Sequence, residues 1–255
     1  MEAGSGRREK ILGYGRFNSG KSSMWVALAA WIADTGTDSH LYVGDTDDAW
    51  SAVQYGDIEP VVSAVHITDY VEGLRWARGV REMVKKDDWV VWDMADKCWS
   101  WSQEHYFTTV QGDDDLLLAD VYVRNQQRAG SMAGDHGSNW GVIYKYYHGL
   151  LNMVLNMPCH VLMVAAAREI RPDTKASIQA QYKGVGFYPA GPPNENELSH
   201  NLHTVLYCAE TPKGWIYTSI KEMGPINRPK RKMLKGEDVV DFVSTYLVGV
   251  AGWRL

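Results

Sequence analysis

Eight residues, Gly15-Arg16-Phe17-Asn18-Ser19-Gly20-Lys21-Ser22, carry the spacing G-x-x-x-x-G-K-S. Those residue types at those positions suit one task, the gripping of a phosphate chain. The glycines let the backbone turn so that successive N–H groups converge on phosphate oxygens, and a helix starting at Lys21 adds its positive end. Lys21 is placed to reach the β- and γ-phosphates, and Ser22 offers a hydroxyl to Mg²⁺. Ser23 ends the stretch expected to contact the nucleotide. Such a pattern arises by chance in roughly one chain per hundred of this length, so its surroundings must carry weight.

A triphosphate site also needs a metal carboxylate at the end of a buried strand. "WVVWD" supplies one in Asp93. Hydrolysis needs a further group that orients or deprotonates water. The residue after Asp93 is Met94, so no acid stands directly beside the metal carboxylate. Asp47, Asp48 and Asp96 are the remaining candidates. ATP and Mg²⁺ are the expected ligands. His200, His203 and Cys208 fit no strong metal-ligand spacing and are read as ordinary side chains.

The elements that must position these groups alternate along the chain. Lys10–Tyr14 reads as a strand entering the glycine loop, and Lys21–Asp34 as a helix ended by "TGTD". Strands are expected at His40–Asp45, Val61–Ile67, Asp88–Asp93 and Cys159–Ala167, with helices at Tyr70–Lys86 and Asn139–Asn156. Thr204–Ala209 and Trp215–Ile220 look like a hairpin turned by "TPKG", and a last helix is expected over Glu237–Leu247. The fold class is therefore α/β, with a mainly parallel central sheet flanked by helices and an antiparallel C-terminal hairpin. Residues 1–9 read as a flexible N-terminus, 10–226 as the core, and 227–255 as a basic connector with the final helix. Long loops are expected at 112–138 and 169–201, of a length that usually signals function.

Composition narrows the function classes. The chain has 255 residues and a formal net charge of −5, so it is no polycation, and any nucleic-acid contact must be local. The local candidate is "NRPKRKMLKG", which holds Arg228, Lys230, Arg231, Lys232 and Lys235. In the second long loop, Arg171, Lys175 and Lys183 suit phosphates, while Tyr182, Phe187 and Tyr188 suit base stacking. Three scattered cysteines without a CxxC pair argue against a disulfide framework. The polar first residues and the lack of a long apolar run lead to the expectation of a cytoplasmic protein with no membrane partner. The tryptophans read mostly as core; Trp50, after the acidic cluster, is the one weighed as an adenine platform.

Taken together, the phosphate loop, "LYVGDTDDAW" after the second strand and the "VVWD" strand resemble the RecA-like P-loop ATPases. The likeness is to the small single-domain bacteriophage type, described as nucleotide-binding or single-strand-annealing ATPases, and it spans roughly residues 10–228. The resemblance implies a catalytic carboxylate two residues beyond Asp45, which is Asp47, with Asp48 in reserve. It implies a γ-phosphate sensor near Ala166–Arg168, where Arg168 is the polar choice. It also implies a basic residue offered to a neighbouring subunit, Lys221 or else Arg228, and hence a ring or filament. The implied activity is DNA-stimulated ATP hydrolysis in phage recombination or replication, on single-stranded DNA before duplex, in the bacterial host cytoplasm. Two alternatives share the site: a DNA-packaging or translocation motor, and an ATP-binding assembly switch with little hydrolysis. A small-molecule kinase is weaker, for lack of a second-substrate motif.

Overall fold

The computed structural model describes residues 8–50, 57–110, 136–192, 197–223 and 233–253. Its centre is one mixed sheet. In chain order the strands are β1 (Lys10–Gly15), β2 (Leu41–Asp45), β3 (Val62–His66), β4 (Trp89–Asp93), β5 (His160–Glu169), β6 (Phe187–Pro189), β7 (Thr204–Thr211), β8 (Gly214–Glu222) and β9 (Asp238–Val239). They lie in the order β3-β2-β4-β5-β1-β7-β8-β9, with β6 paired to β5. The six strands from β3 to β7 are mutually parallel, whereas β7, β8 and β9 pair antiparallel.

Alternation along the central strands builds two cores, because successive side chains leave opposite faces of a strand. Trp89 and Val91 of β4 join one cluster, and Val90 and Trp92 join the other. The first face is covered by α1 (Lys21–Thr35), which buries Met24, Trp25, Leu28, Ala29 and Ile32 at helical spacing. A C-terminal π-helix, Phe242–Val250, packs beside it. The opposite face is covered by α2 (Tyr70–Met83), α3 (Lys97–Val110) and α4 (His136–Leu155). Both faces of the parallel strands are thus dry, which is why β4 is buried along its whole length.

The α/β class and the antiparallel tail agree with the sequence reading. Three local readings need correction. Residues 97–110 form a helix that the sequence reading left without structure. The stretch 169–201 is not one long loop, since it holds the end of β5, α5 (Ala176–Tyr182), β6 and the short α6 (Glu197–His200). The last helix, expected over Glu237–Leu247, is present but starts later, at Phe242, with π geometry to Val250, and its expected first residues hold the short strand β9. Among the described residues, no helix is long and apolar enough to cross a membrane.

Candidate active site

Parallel strands deliver their C-terminal ends to one edge, and here that edge collects the candidate residues. Gly15 of β1 lies in register with Ala166 of β5 and Cys208 of β7. Asp93 of β4 is in register with Val164 of β5 and with Asp45 of β2. One strand, β5, stands between the loop strand and the carboxylate strand. At a strand spacing near 4.8 Å this sets their tips roughly 10 Å apart.

The loop itself is tightly built. A Cβ on Gly15 would collide with Ser19 Oγ and the Cys208 carbonyl oxygen, so only glycine lets the loop fold back on β7. Ser19 N–H donates to the Arg16 carbonyl at 3.3 Å, and Lys21 Nζ donates to the same carbonyl at 2.8 Å, which lays the ammonium across the loop. Gly20, at φ 77°, turns the chain into α1. That helix has no side-chain cap and no acid in its first turn. By contrast, Asp69 caps α2 through the Glu72 N–H at 2.8 Å. The positive end of α1 is thus left for an external anion.

The carboxylates are held from several sides. Asp93 is fully buried, and Trp25 Nε1–H, one turn along α1 from the loop, donates to its Oδ2 at 2.9 Å. Burial pushes the Asp93 pKa up, while the Ser22 hydroxyl, the Trp25 indole and Lys21 hold it down. Asp45 is buried and acts as a brace, accepting from Asp47 N at 3.3 Å and Trp50 N at 2.7 Å. Asp47 lies on the rim. Desolvation of its carboxyl, followed by the charges of Asp93 and Asp45, raises its pKa to about 6. The strand tips are cross-stitched: Thr46 N donates to the Asp93 carbonyl at 2.5 Å, and Met94 N to Thr46 Oγ1 at 2.8 Å. Ala166 N donates to Asp96 Oδ1 at 2.9 Å, so Asp96 is occupied in joining α3 to β5.

The loop and the neighbouring strand ends enclose a pocket of roughly 580 Å³. It is lined by the whole stretch Gly15, Arg16, Phe17, Asn18, Ser19, Gly20, Lys21, Ser22 and Ser23, joined by Asp47, Met94, Ala166, Ala167, Glu210 and Trp215. Of the acids proposed from the sequence, Asp47 lines it, and Asp93, Asp48 and Asp96 do not; Asp48 sits at a left-handed turn position with φ 57°. From β5 the pocket receives two alanines. Arg168 runs on past it, paired with Tyr188 of β6, so this strand places no cationic sensor at the pocket. Lys221 stands at the other end of β8, opposite Val205, and its ammonium donates to the Ser199 and His200 carbonyls at 2.9 and 3.0 Å. It is out of reach of its own chain's loop, and any role in a site would be in a neighbouring copy.

Other readings change too. Tyr182 and Tyr188 are buried, so neither offers a face to a base, and Phe187 is half-buried against Tyr207. Trp50 packs on Trp25, with ring centroids 5.9 Å apart, and does not line the pocket. Arg228, Lys230, Arg231, Lys232 and the acidic run Asp113–Asp115 lie outside the described residues; Lys235 is exposed. Sequence reasoning took Trp25 as plain core and gave Trp215 no role. Helical spacing of Trp25 from Ser22 was the available signal for the first, and nothing local signalled the second.

A Mg²⁺–triphosphate group suits this donor set. Ser19 Oγ and Asp93 Oδ1 are buried without a partner that meets hydrogen-bond geometry, both beside the loop. Among the described residues, no group of three or more His, Cys, Asp or Glu could hold a metal unaided. Magnesium is commonly bound by one or two carboxylates together with substrate phosphates, which is what a hydroxyl and a single buried Asp can offer. No protein-family model matches this chain, and no curated protein sequence matches it.

Proposed function

We propose that the chain is a Mg²⁺-dependent ATPase of the RecA-like P-loop type that acts on DNA as an oligomer. One observation carries the reading: the uncapped start of α1, Lys21, Ser22 and Asp47 converge on one pocket, and Trp25 of the same helix ties it to the buried Asp93 carboxylate. In this reading the loop N–H groups and Lys21 hold the β- and γ-phosphates. Ser22 and Asp93 would hold Mg²⁺, which when bound would neutralise phosphate charge. Trp25 fixes the Asp93 carboxyl so that its second oxygen stays turned toward that role. Asp47 accepts a proton from the water that attacks the γ-phosphorus as the bond to the β-phosphate oxygen breaks. Lys221, at the far end of the sheet, serves a neighbouring copy, which makes assembly part of activity.

The nucleic-acid part is supported by the exposure of Arg171, Lys175 and Lys183 on the segment after β5. That segment touches the phosphate loop through Arg16, whose guanidinium lies 5.6 Å from the Phe187 ring. ATP turnover with no DNA, with single strands and with duplex, alongside sizing in ATP and ADP, tests the reading. Single-strand stimulation with ATP-dependent assembly is expected. A duplex preference would turn the reading to a translocation motor, and tight ATP binding without turnover to an assembly switch.

A further inference from the structure

The hairpin β7–β8 brings an aromatic side chain to the phosphate loop that the hydrolytic reading leaves unused. Trp215 is the second residue of β8 and pairs with Glu210 across the ladder. Directly opposed residues project from the same face, and both line the loop pocket. A Cβ built on Gly20 would stand 2.5, 2.6 and 2.8 Å from Cγ, Cδ2 and Cδ1 of the Trp215 indole. Three nearly equal distances place Gly20 against the face of the five-membered ring, not its edge. Yet 45 % of Trp215 remains exposed. One face is therefore seated and the other is turned outward, beside the start of α1.

We propose that Trp215 is the platform on which the purine base of the bound nucleotide stacks, and so sets how the site tells a nucleoside triphosphate from a bare polyphosphate. The inference rests on the phosphate-loop reading above. The physical case is direct. A bicyclic purine offers the largest π-face to an indole, and stacking of this kind is tolerant of base identity because every base has such a face. The second loop glycine gains a further reason: any side chain at Gly20 would displace the indole as well as strain a backbone at φ 77°. The site should accept ATP and GTP with similar affinity, pyrimidine triphosphates less well, and inorganic tripolyphosphate least.

Binding of MgATP, MgGTP, MgCTP and magnesium tripolyphosphate is measured by calorimetry on the full chain and on Trp215→Ala and Trp215→Phe. The alanine variant is expected to lose about tenfold or more in affinity for ATP and GTP. It should keep its affinity for tripolyphosphate, and the phenylalanine variant should recover most of the loss. Equal losses for ATP and tripolyphosphate would overturn the proposal, since Trp215 would then only shape the loop. So would unchanged ATP affinity in Trp215→Ala, or wild-type protein that binds ATP no better than tripolyphosphate. Wild-type protein that binds none of these ligands would sink the phosphate-loop reading itself, and this proposal with it.

Discussion

At the scale of single residues, the site depends on groups that hold other groups. Asp93 Oδ2 accepts from Trp25 Nε1–H at 2.9 Å, and the Ser22 hydroxyl is a further donor to the carboxylate. Trp25→Phe preserves most of the buried ring volume but removes the indole donor. Loss of a hydrogen bond to a charged group should cost about 1.5–3 kcal/mol, read from urea unfolding. The same change should weaken Mg²⁺-dependent nucleotide binding while leaving Mg²⁺-free binding nearly unchanged; equal effects in both would assign Trp25 to packing alone. His160 gives a second test at this scale. Its ring stacks on Trp89 and meets Trp253 edge-on, Nδ1 accepts the Glu9 N–H at 2.9 Å, and burial, followed by Arg8 and Lys86, drives its pKa down to about 3. A histidine depressed in the folded state takes up its proton first on unfolding, so its contribution is full above about pH 6.5. That contribution is lost progressively as the pH falls from about 6.5 toward 3. The unfolding free energy of wild type should therefore drop between pH 7 and pH 4 by about 3 kcal/mol more than that of His160→Gln. Parallel pH dependence in the two proteins would show that His160 is not held neutral.

At the scale of elements, the β1–loop–α1 unit could be read from the sequence because its parts are local. A buried strand, glycines at fixed spacing and an apolar helix face each leave a signature within twenty or so residues. β4 was equally legible, since a strand covered on both faces needs no polar residue until Asp93 ends it. What escaped was set by distant partners. α3 is built from "KCWSWSQEHYFTTV", whose aromatic, Ser and Thr residues are indifferent helix formers, and it is stabilised by packing against α4 and α2. Tyr182 and Tyr188 looked like surface aromatics, yet the Tyr182 hydroxyl meets Ser199 at 2.5 Å inside the core. Trp215 comes to Gly20 only because β8 folds back on β7, a contact between residues far apart in the chain. The tight seat of the loop on β7 supports a test of its own. Gly15→Ala forces a methyl group against Ser19 Oγ and the Cys208 carbonyl, where backbone cannot yield cheaply. Destabilisation of about 3 kcal/mol is expected by chemical denaturation. A change within 0.5 kcal/mol, the ordinary range for surface substitutions, would mean that the loop has slack there.

At the scale of the whole molecule, the sheet sets two candidate features at opposite ends of its strands. The C-terminal edge of the parallel strands holds the pocket, and the opposite edge holds Lys221 and the α6 carbonyls it caps. A copy that stacked head to tail on another would bring these two edges together, as the proposed assembly requires. Nucleotide should also stabilise the chain as a unit. MgATP at about a hundred times its dissociation constant contributes about 2.7 kcal/mol, visible as a raised Tm that EDTA reduces. The most direct test of the central claim is release of phosphate from ATP, with binding measured in parallel, for wild type, Lys21→Ala and Asp47→Asn. Mg²⁺-dependent turnover by wild type and loss of binding in Lys21→Ala are expected. In Asp47→Asn near-normal binding is expected, with kcat lower by about a hundredfold or more. Wild-type protein that neither binds nor hydrolyses MgATP, or Asp47→Asn turning over at the wild-type rate, would contradict that claim.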